Sequence, residues 1–532
     1  MTQDPQPSPQ ALLQTGVQML QQGRVQEAWN TFHEVLRRDP RSAAGHHMVG
    51  LIALQSGQLE AGVQSLQRSI ALDPTDPAAY SNLANGLRDL GRTDEALQAY
   101  GKALAMARSF LDALSNRAIL FGRLGRFDEA LADCDRALAQ DGQRAFLHNQ
   151  RAVVLRNLGR HAEALDSCAA ALRLDPRYAD AHLNRGNVLA ELGRDAEAIA
   201  DYEACLALNP ARLEALYYSG VAHLALGDYG RGWERYEARL RLRGRLRVAS
   251  DQEFTQPAWR GESSLQGRTI LLHSEQGLGD TLQFCRYADL AKAAGASVIL
   301  QVDAPLVRLL STLKGADSVL AKGASPPRFD VHAPIMSLPL AFGTTEQTIP
   351  AEIPYLRAEP EKIAVWARRL GPRTRPRVGL VWSGGVVAGR AEFDRRNMPL
   401  RMLAPLATTD VDFVSLQKGE AAERELAQAV AAGWNGPAMV DPAADLHDFS
   451  DTAALIETLD LVITVDTSTA HLAGALGKPV WILNRFDNCW RWLRRRTDSP
   501  WYPTARLFRQ RTFGDWSGVA HDVVEALETF QA

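Results

Sequence analysis

No stretch of about 18 consecutive apolar residues occurs in the 532-residue chain, so no helix is expected to cross a bilayer. Cysteine is scarce as well. The five present (Cys134, Cys168, Cys205, Cys285 and Cys489) are scattered and form no CxxC. That argues against a disulfide framework or a zinc site and for a reducing, cytoplasmic setting. Neither sign of charge is in excess: 59 basic residues against 62 acidic give a net −3. A nucleic-acid binder usually shows a basic domain or stripe, so no nucleic-acid partner is expected. The opening residues, MTQDPQPSPQ, have neither the basic start nor the apolar centre of a secretory signal. What is there is the balance of a globular chain, 46% apolar and 23% charged.

The strongest signal is a repeat. Glycines stand at 23, 57, 91, 125, 159, 193 and 227, each 34 residues after the last. A small residue precedes each by seven positions (Gly16, Gly50 and Ala84 in the first three), and another follows by five (Ala28, Gly62 and Ala96). Pro40, Pro74, Pro176 and Pro210 lie 17 residues beyond four of the glycines. The pattern predicts helical hairpins. Small residues let two helices cross closely, glycine turns between them at positive φ, and proline ends the second. The turn sequences LGRTDEAL, LGRFDEAL, LGRHAEAL and LGRDAEAI repeat one theme. The whole resembles the tetratricopeptide repeat. Seven repeats are expected over residues 9–246, the last degenerate, with Gly244 where proline would stand. Cys134 and Cys168 share one register and read as core packing.

Such an array has a concave face suited to extended peptides. The sixth residue of each unit is expected to face inward: Gln14, Met48, Asn82, Asn116, Gln150, Asn184 and Tyr218. Carboxamides both donate and accept, so Asn82, Asn116 and Asn184 are candidates to hold a peptide backbone. The run resembles the asparagine ladder of the O-linked N-acetylglucosamine transferases. A merely solvated polar face is the alternative.

The period stops near residue 244, and residues 247–268 read as a connector. Beyond it short apolar runs alternate with helical stretches: TILLH (269–273), SVILQV (297–302), RVGLVW (377–382), FVSLQ (413–417), LVITV (461–465) and PVWIL (479–483). This alternation predicts parallel sheets covered on both faces, in two Rossmann-like lobes, 269–372 and 373–532. Ligands of such sheets bind beyond the carboxyl ends of the strands. There, HSEQGLGDTLQF offers Asp280, as a helix cap or as a general base facing the cleft. In VDTSTAHLAG, Thr467, Ser468 and Thr469 bring amides and hydroxyls to a helix start, a seat for a diphosphate. Asp466 is placed to accept from sugar hydroxyls, and His471 to donate to phosphate. A capped helix and a packed histidine are the bland alternative. Between 484 and 510, Trp490, Trp492, Trp501 and Tyr502 accompany Arg485, Arg491 and Arg494–Arg496. These either stack on a base or sugar and neutralise phosphate, or form a solvated face or an inter-lobe contact. Lys418 reads better as a surface lysine. No DxD motif stands at a strand end, so no essential metal is expected, and no cofactor beyond a co-substrate.

The segment VDTSTAHLAGALGKPVW closely resembles the nucleotide-sugar signature of the heptosyltransferase-like glycosyltransferases, family 9, which have the two-lobed GT-B fold. The resemblance covers roughly residues 265–512. It implies that Asp466, Thr467, Ser468 and His471 grip a donor diphosphate. The GxGD segment is similar to the family's opening motif, which implies that Asp280 is the base. RVGLVWSGG (377–385) is similar to the start of the family's second lobe, placing Ser383 and Gly384 near the donor. FDRRNMPL (393–400) aligns with a basic segment that contacts phosphate, pointing to Arg395 and Arg396. The expected architecture is an α-solenoid of seven repeats followed by an α/β GT-B pair. The expected activity is metal-independent, inverting transfer of a sugar from a nucleotide donor to an acceptor. The heptosyltransferases proper carry no repeat array, and the fusion looks architecturally like the O-linked N-acetylglucosamine transferases. The expected acceptor is therefore a protein recruited by the repeats. A non-catalytic scaffold, an O-linked N-acetylglucosamine transferase-like enzyme and a sugar-nucleotide epimerase are the rivals.

Overall fold

The computed structural model describes residues 7–242, 254–385 and 395–530. Gly244, the end of the predicted array, residues 247–253 of the connector, and Phe393 and Asp394 of the basic segment lie outside the described residues. The chain divides into two compact units, the first ending at Arg185 and the second beginning at Gly186.

From Pro9 to Tyr236 fourteen α-helices follow one another in hairpins, an α-solenoid of tetratricopeptide type. All seven predicted turn glycines have φ between 70° and 81°, a conformation glycine alone adopts without steric cost. The close crossing also has its predicted cause: a methyl group on Gly186 would lie 2.7 Å from the Tyr202 ring. Arginine follows five of the glycines and pairs with a glutamate three residues on, as in Arg92–Glu95 and Arg194–Glu197. These pairs are exposed, so each contributes little. Cys134 and Cys168 are buried, and burial pushes the Cys134 thiol up to about 12. An un-ionised thiol packed in a helix interface fits the structural role.

The second unit contains two parallel sheets. In the first lobe the strands β1 (Thr269–His273), β2 (Ser297–Val302), β3 (Ser318–Ala321) and β4 (Val331–Pro334) stand in the order β3-β2-β1-β4. In the second, β5 (Arg377–Val381), β6 (Asp412–Ser415), β7 (Met439–Val440), β8 (Leu461–Val465), β9 (Val480–Asn484) and β10 (Ala505–Arg509) stand in the order β10-β9-β8-β5-β6-β7. Among the described residues every pairing between these strands is parallel, and one isolated antiparallel bridge joins Asp498 to Arg506. The six apolar runs read from the sequence all form strands. β3, β4, β7 and β10 escaped that reading because none is a long apolar run. β3 is half-buried throughout, β4 ends in proline, β7 is a two-residue edge, and β10 has Arg506 exposed at its second position.

The described part of the connector is not a free linker. The Trp259 amide donates to the His332 carbonyl at 2.7 Å, and the His332 amide donates to Pro257 at 3.1 Å. Residues 257–259 thereby extend the first sheet beyond β4, and Phe254 packs on Phe329 and His332. Among the described residues no helix is long and apolar enough to cross a membrane.

The seventh repeat (helices Leu213–Ala225 and Tyr229–Tyr236) shares one apolar core with both lobes. Trp233 is at its centre. Its ring centroid lies 5.2 Å from Trp490 and 6.4 Å from Phe284 and Trp501, and its indole N–H donates to the Thr344 carbonyl at 3.1 Å. Just beyond, Arg239 is wholly buried and donates to both carboxylate oxygens of Glu275, at 3.0 and 2.7 Å, and to Ser337 at 2.8 Å. Trp233→Ala is expected to lower the stability of the second unit by about 3–5 kcal/mol, the usual cost of emptying a buried tryptophan site. Denaturant unfolding followed with a probe in each unit checks this. An unchanged midpoint for the second unit refutes it.

Candidate functional site

One cleft of about 800 Å³ opens in the second unit, past the carboxyl ends of β1, β5, β6, β8 and β9. Each strand feeds a short segment into its wall: Gln276–Asp280 after β1, Ser383–Gly385 after β5, Leu416–Lys418 after β6, Asp466–Thr469 after β8 and Arg485 after β9. This is where the topology of an open parallel sheet puts a ligand.

On the first-lobe side, Asp280 lies in the first turn of the helix Leu278–Phe284. One of its oxygens accepts the Gly277 amide at 2.8 Å, which caps the helix. The other accepts from Arg491 of the second lobe, a pairing that joins the lobes across the cleft. Arg491 is itself aligned by donation to Gln283 at 2.8 Å and by stacking on Trp490 at 4.4 Å. Burial opposes its charge most strongly, but Asp280, Cys489 and Tyr236 together more than offset this and hold its proton affinity above the ordinary arginine value. Both alternatives for Asp280 therefore coexist: it caps a helix, and it faces the cleft.

On the second-lobe side, the helix Ser468–Ala475 starts at the cleft wall, with Thr467, Ser468 and Thr469 lining it. Its first turn lies against the first-lobe helix so closely that a methyl on Gly279 would stand 2.8 Å from the His471 ring. His471 is buried, stacks on Trp492 at 5.3 Å, and shares a hydrogen bond with the Tyr502 hydroxyl through Nδ1 at 3.0 Å. Burial, with Arg491 and Arg286 adding like charge, pushes it well below the usual imidazole range. The ring is neutral, so its capacity to donate is that of one N–H and not of a cation.

Arg396 closes the second-lobe wall. Its guanidinium donates to the Gly385 carbonyl at 2.9 Å and reaches the Asp466 carbonyl at 3.5 Å. A methyl on Gly384 would lie 2.6 Å from it, so glycine is needed there for the approach. Burial lowers the proton affinity of Arg396, while the Asp466 charge opposes that effect.

The predicted residues Asp280, Ser383, Gly384, Arg396, Asp466, Thr467, Ser468, Thr469 and His471 thus line one cleft. Arg395 does not. Its guanidinium turns away to Glu191 at 3.3 Å and Asp487 at 3.5 Å, and lies over Phe513. The two residues sit in a turn that sends their side chains apart, and only Arg396 takes the cleft side. Of the alternatives for Trp490, Trp492, Trp501 and Tyr502, stacking on a ligand, a solvated face or an inter-lobe contact, the structure favours the last. All four are buried in the packing behind the cleft, where their area stabilises the lobe contact. Arg485 and Arg491 of that segment do reach the cleft. Lys418 is exposed, as expected, but stands at the rim with its ammonium on the Ala443 carbonyl at 2.6 Å. Sequence reasoning missed Gln417. Buried after β6, it accepts the amides of Trp382 and Ser383 at 3.1 and 3.0 Å and shapes the loop that carries Gly384. The one signal for it is a polar residue closing an apolar run.

The ladder asparagines lie in the first unit. Asn82 bonds His47 at 2.9 Å and Asn184 donates to Asn149 at 2.8 Å, each reaching back 35 residues to the preceding repeat. Asn116 is half-buried. One rung bond uses part of a carboxamide's capacity of about four.

Comparison with known proteins gives two families. The model of the tetratricopeptide repeat matches residues 19–77, 81–145, 149–211 and 196–238. The model of glycosyltransferase family 9 (heptosyltransferase) matches residues 407–483, which run from before β6 to the end of β9 and include Asp466–His471. Protein FlbA of Caulobacter vibrioides is 32% identical over 338 residues, covering 58% of this chain and 54% of that protein. The chain therefore spans about half the length of this curated relative. Among solved structures, a tetratricopeptide repeat protein from Parabacteroides merdae is 19% identical with a TM-score of 0.38, covering 44% of this chain and 94% of its own. PilF of Pseudomonas aeruginosa is 17% identical with a TM-score of 0.36, covering 39% and 94%.

The burial of neutral His471 sets a pH dependence. Below pH 6.5 the unfolded chain takes up a proton there that the folded chain refuses. Stability is flat above that pH and falls as pH drops below it, by at most about 1.4 kcal/mol per unit from this group. His273, pushed by burial to about 3, adds a parallel loss. His471→Gln is expected to flatten the fall between about pH 6.5 and pH 5 without abolishing it. An unaltered slope in denaturant titrations contradicts the assignment.

Proposed function

We propose that this chain, in which tetratricopeptide repeats and a segment of glycosyltransferase family 9 are matched, moves a sugar from a nucleotide-sugar donor to a protein acceptor recruited by the repeats. One observation carries the reading. The family-matched segment Asp466–His471 opens onto the same cleft as Asp280 and Arg396, which come from distant parts of the chain.

The donor's two phosphates lie against the start of the helix Ser468–Ala475, where backbone amides and the helix dipole favour negative charge. Arg396, Arg485 and Arg491 supply full positive charge around them. These cations and the helix start stabilise the departing nucleoside diphosphate, so the transfer needs no metal. Val381, Leu416, Leu446 and Phe449 form an apolar wall for the nucleobase. Asp466 and the Ser383 hydroxyl meet the ribose or sugar hydroxyls, and the Gly384 amide is held by the Asn397 side chain at 2.8 Å.

The acceptor hydroxyl gives its proton to Asp280 while its oxygen bonds the anomeric carbon. The bond from that carbon to the diphosphate oxygen breaks in the same displacement, its electron pair leaves on the phosphate, and the centre inverts. Arg491 touches both partners of this step: it pairs with Asp280 in the resting cleft and is within reach of an incoming phosphate. The asparagine rungs Asn82, Asn116 and Asn184 hold the acceptor's backbone.

A thermal-shift panel of UDP-, GDP-, ADP- and CMP-sugars tests the donor site. One nucleotide class is expected to stabilise the second unit, by about 2.7 kcal/mol at a hundred times its dissociation constant, and Asp466→Ala to abolish the shift. Asp280→Asn is expected to keep the shift and lose transfer by about 10²–10⁴-fold, the usual share of a positioned base. No stabilisation by any donor leaves the scaffold reading standing instead.

A further inference from the structure

The loop carrying Arg491 is held from outside the lobes. Between Cys489 and Arg496 the backbone passes through two left-handed non-glycine residues, Leu493 (φ 53°) and Arg495 (φ 57°), on either side of Arg494. Such a conformation is disfavoured for L-residues and persists only where its surroundings over-determine it. Here the surroundings are the lobe and a tetratricopeptide repeat together: Asn488 donates to the Leu493 carbonyl at 2.9 Å, Arg509 donates to the carbonyls of Trp492 and Arg496 at 2.7 and 2.8 Å, and the repeat takes Arg494. Arg494 donates to both carboxylate oxygens of Asp195, at 2.7 and 3.0 Å, and its remaining nitrogen donates to the carbonyl and side-chain oxygens of Asn488, each at 3.0 Å. The Asp195 side chain is 1% exposed.

Asp195 opens the second helix of repeat six (Asp195–Leu208). At the same register the third, fourth and fifth repeats carry Thr93, Phe127 and His161. The repeat fold therefore does not require a carboxylate there. Four residues earlier, Glu191 closes the first helix of the same repeat and meets Arg395, the neighbour of Arg396, at 3.3 Å. A single inter-helix turn, Glu191 to Asp195, thus grips two separate second-lobe segments. One leads directly to Arg396, and the other lies between Arg485 and Arg491 on one side and Arg496 on the other. The positive wall of the cleft is braced by acidic side chains that belong to the array.

We propose that repeat six is part of the donor site, with Asp195 a positioning residue that holds residues 485–496 in the geometry that receives a nucleoside diphosphate. The inference rests on the donor-site reading above and assigns to a repeat a task in phosphate binding as well as recruitment. Asp195 touches no donor atom; it acts through Arg494 on where Arg485 and Arg491 stand. Its loss relaxes the loop, moves two guanidiniums from the phosphates, and leaves the nucleobase wall as it was.

The test is calorimetric titration of the full-length chain with UDP, GDP, ADP and CDP, and with the corresponding monophosphates. Asp195→Asn is expected to weaken the preferred diphosphate by about threefold to thirtyfold, the range for residues coupled to a site through a contact network, and the monophosphate by less. Asp195→Glu, which keeps the charge, is expected to recover part of the loss. The double variant Asp195→Leu/Arg494→Met leaves no buried charge unpaired and so folds where the single variant fails; it is expected to show the same selective loss. Asp133→Asn is the control. It breaks a comparably buried ion pair with Arg117 in repeat four and is expected to leave the affinity unchanged. Wild-type affinity in the folded Asp195 variants, or equal losses for diphosphate and monophosphate, overturns the inference while the donor site stands. A wild-type chain that binds none of the four diphosphates removes the donor-site reading, and this inference falls with it.

Discussion

Positive charge kept from water is costly unless something pairs it. That constraint shapes the whole second unit. Arg491 is paired by Asp280, Arg494 by Asp195 and Arg239 by Glu275, and in each case the two residues belong to different parts of the chain. Arg286, also buried, is satisfied by the Trp501 and Pro350 carbonyls and the Tyr355 hydroxyl. Each pair adds little net stability over a well-packed apolar substitute. What each does is penalise any arrangement in which its two halves are apart, because either half alone is an orphan charge. The lobes and the last repeats are therefore held in one relation by pairs that have no good alternative.

Much of the fold was legible because it is written as a period. Thirty-four-residue spacing, glycine at positive φ and small residues at helix crossings are local requirements, and local requirements leave local marks. The longer strands were legible for a similar reason: a strand buried on both faces, such as β8 with LVITV, must be apolar at every position. The short strands carry no such mark, since their place is set by neighbours already in the sheet. The cleft residues after β1 and β8 were found by combining strand ends with topology, and Ser383 and Gly384 after β5 by the family resemblance.

The mistaken and the undecided readings share one cause. Arg395 and Arg396 are alike in sequence, and only the path of the chain decides which faces the cleft. Trp490, Trp492, Trp501 and Tyr502 have the composition of a stacking platform, but an aromatic that can stack on a base can equally stack on Trp233 or His471. Composition gives what a side chain can do, and long-range packing selects among those capacities. Gln417 shows the reverse case: nothing in its type marks it, yet four hydrogen bonds make it the buckle between β6 and the loop after β5.

The same reasoning bears on why repeats and lobes form one body from Gly186 onward. In a parallel α/β lobe the sheet is rigid, while the loops past the strand ends, which meet the ligand, are the part least constrained by it. Such loops need support from something outside the sheet. Here the segment after β1 leans on the seventh repeat through Glu275 on Arg239 and through Gln276 on the Tyr236 hydroxyl at 3.1 Å. The segment after β9 leans on the sixth through Arg494 on Asp195. The solenoid's last two units thus do for these loops what a lid or an inserted subdomain does elsewhere. An array that served only to recruit would have no reason to bury its own charged residues against the walls of the cleft.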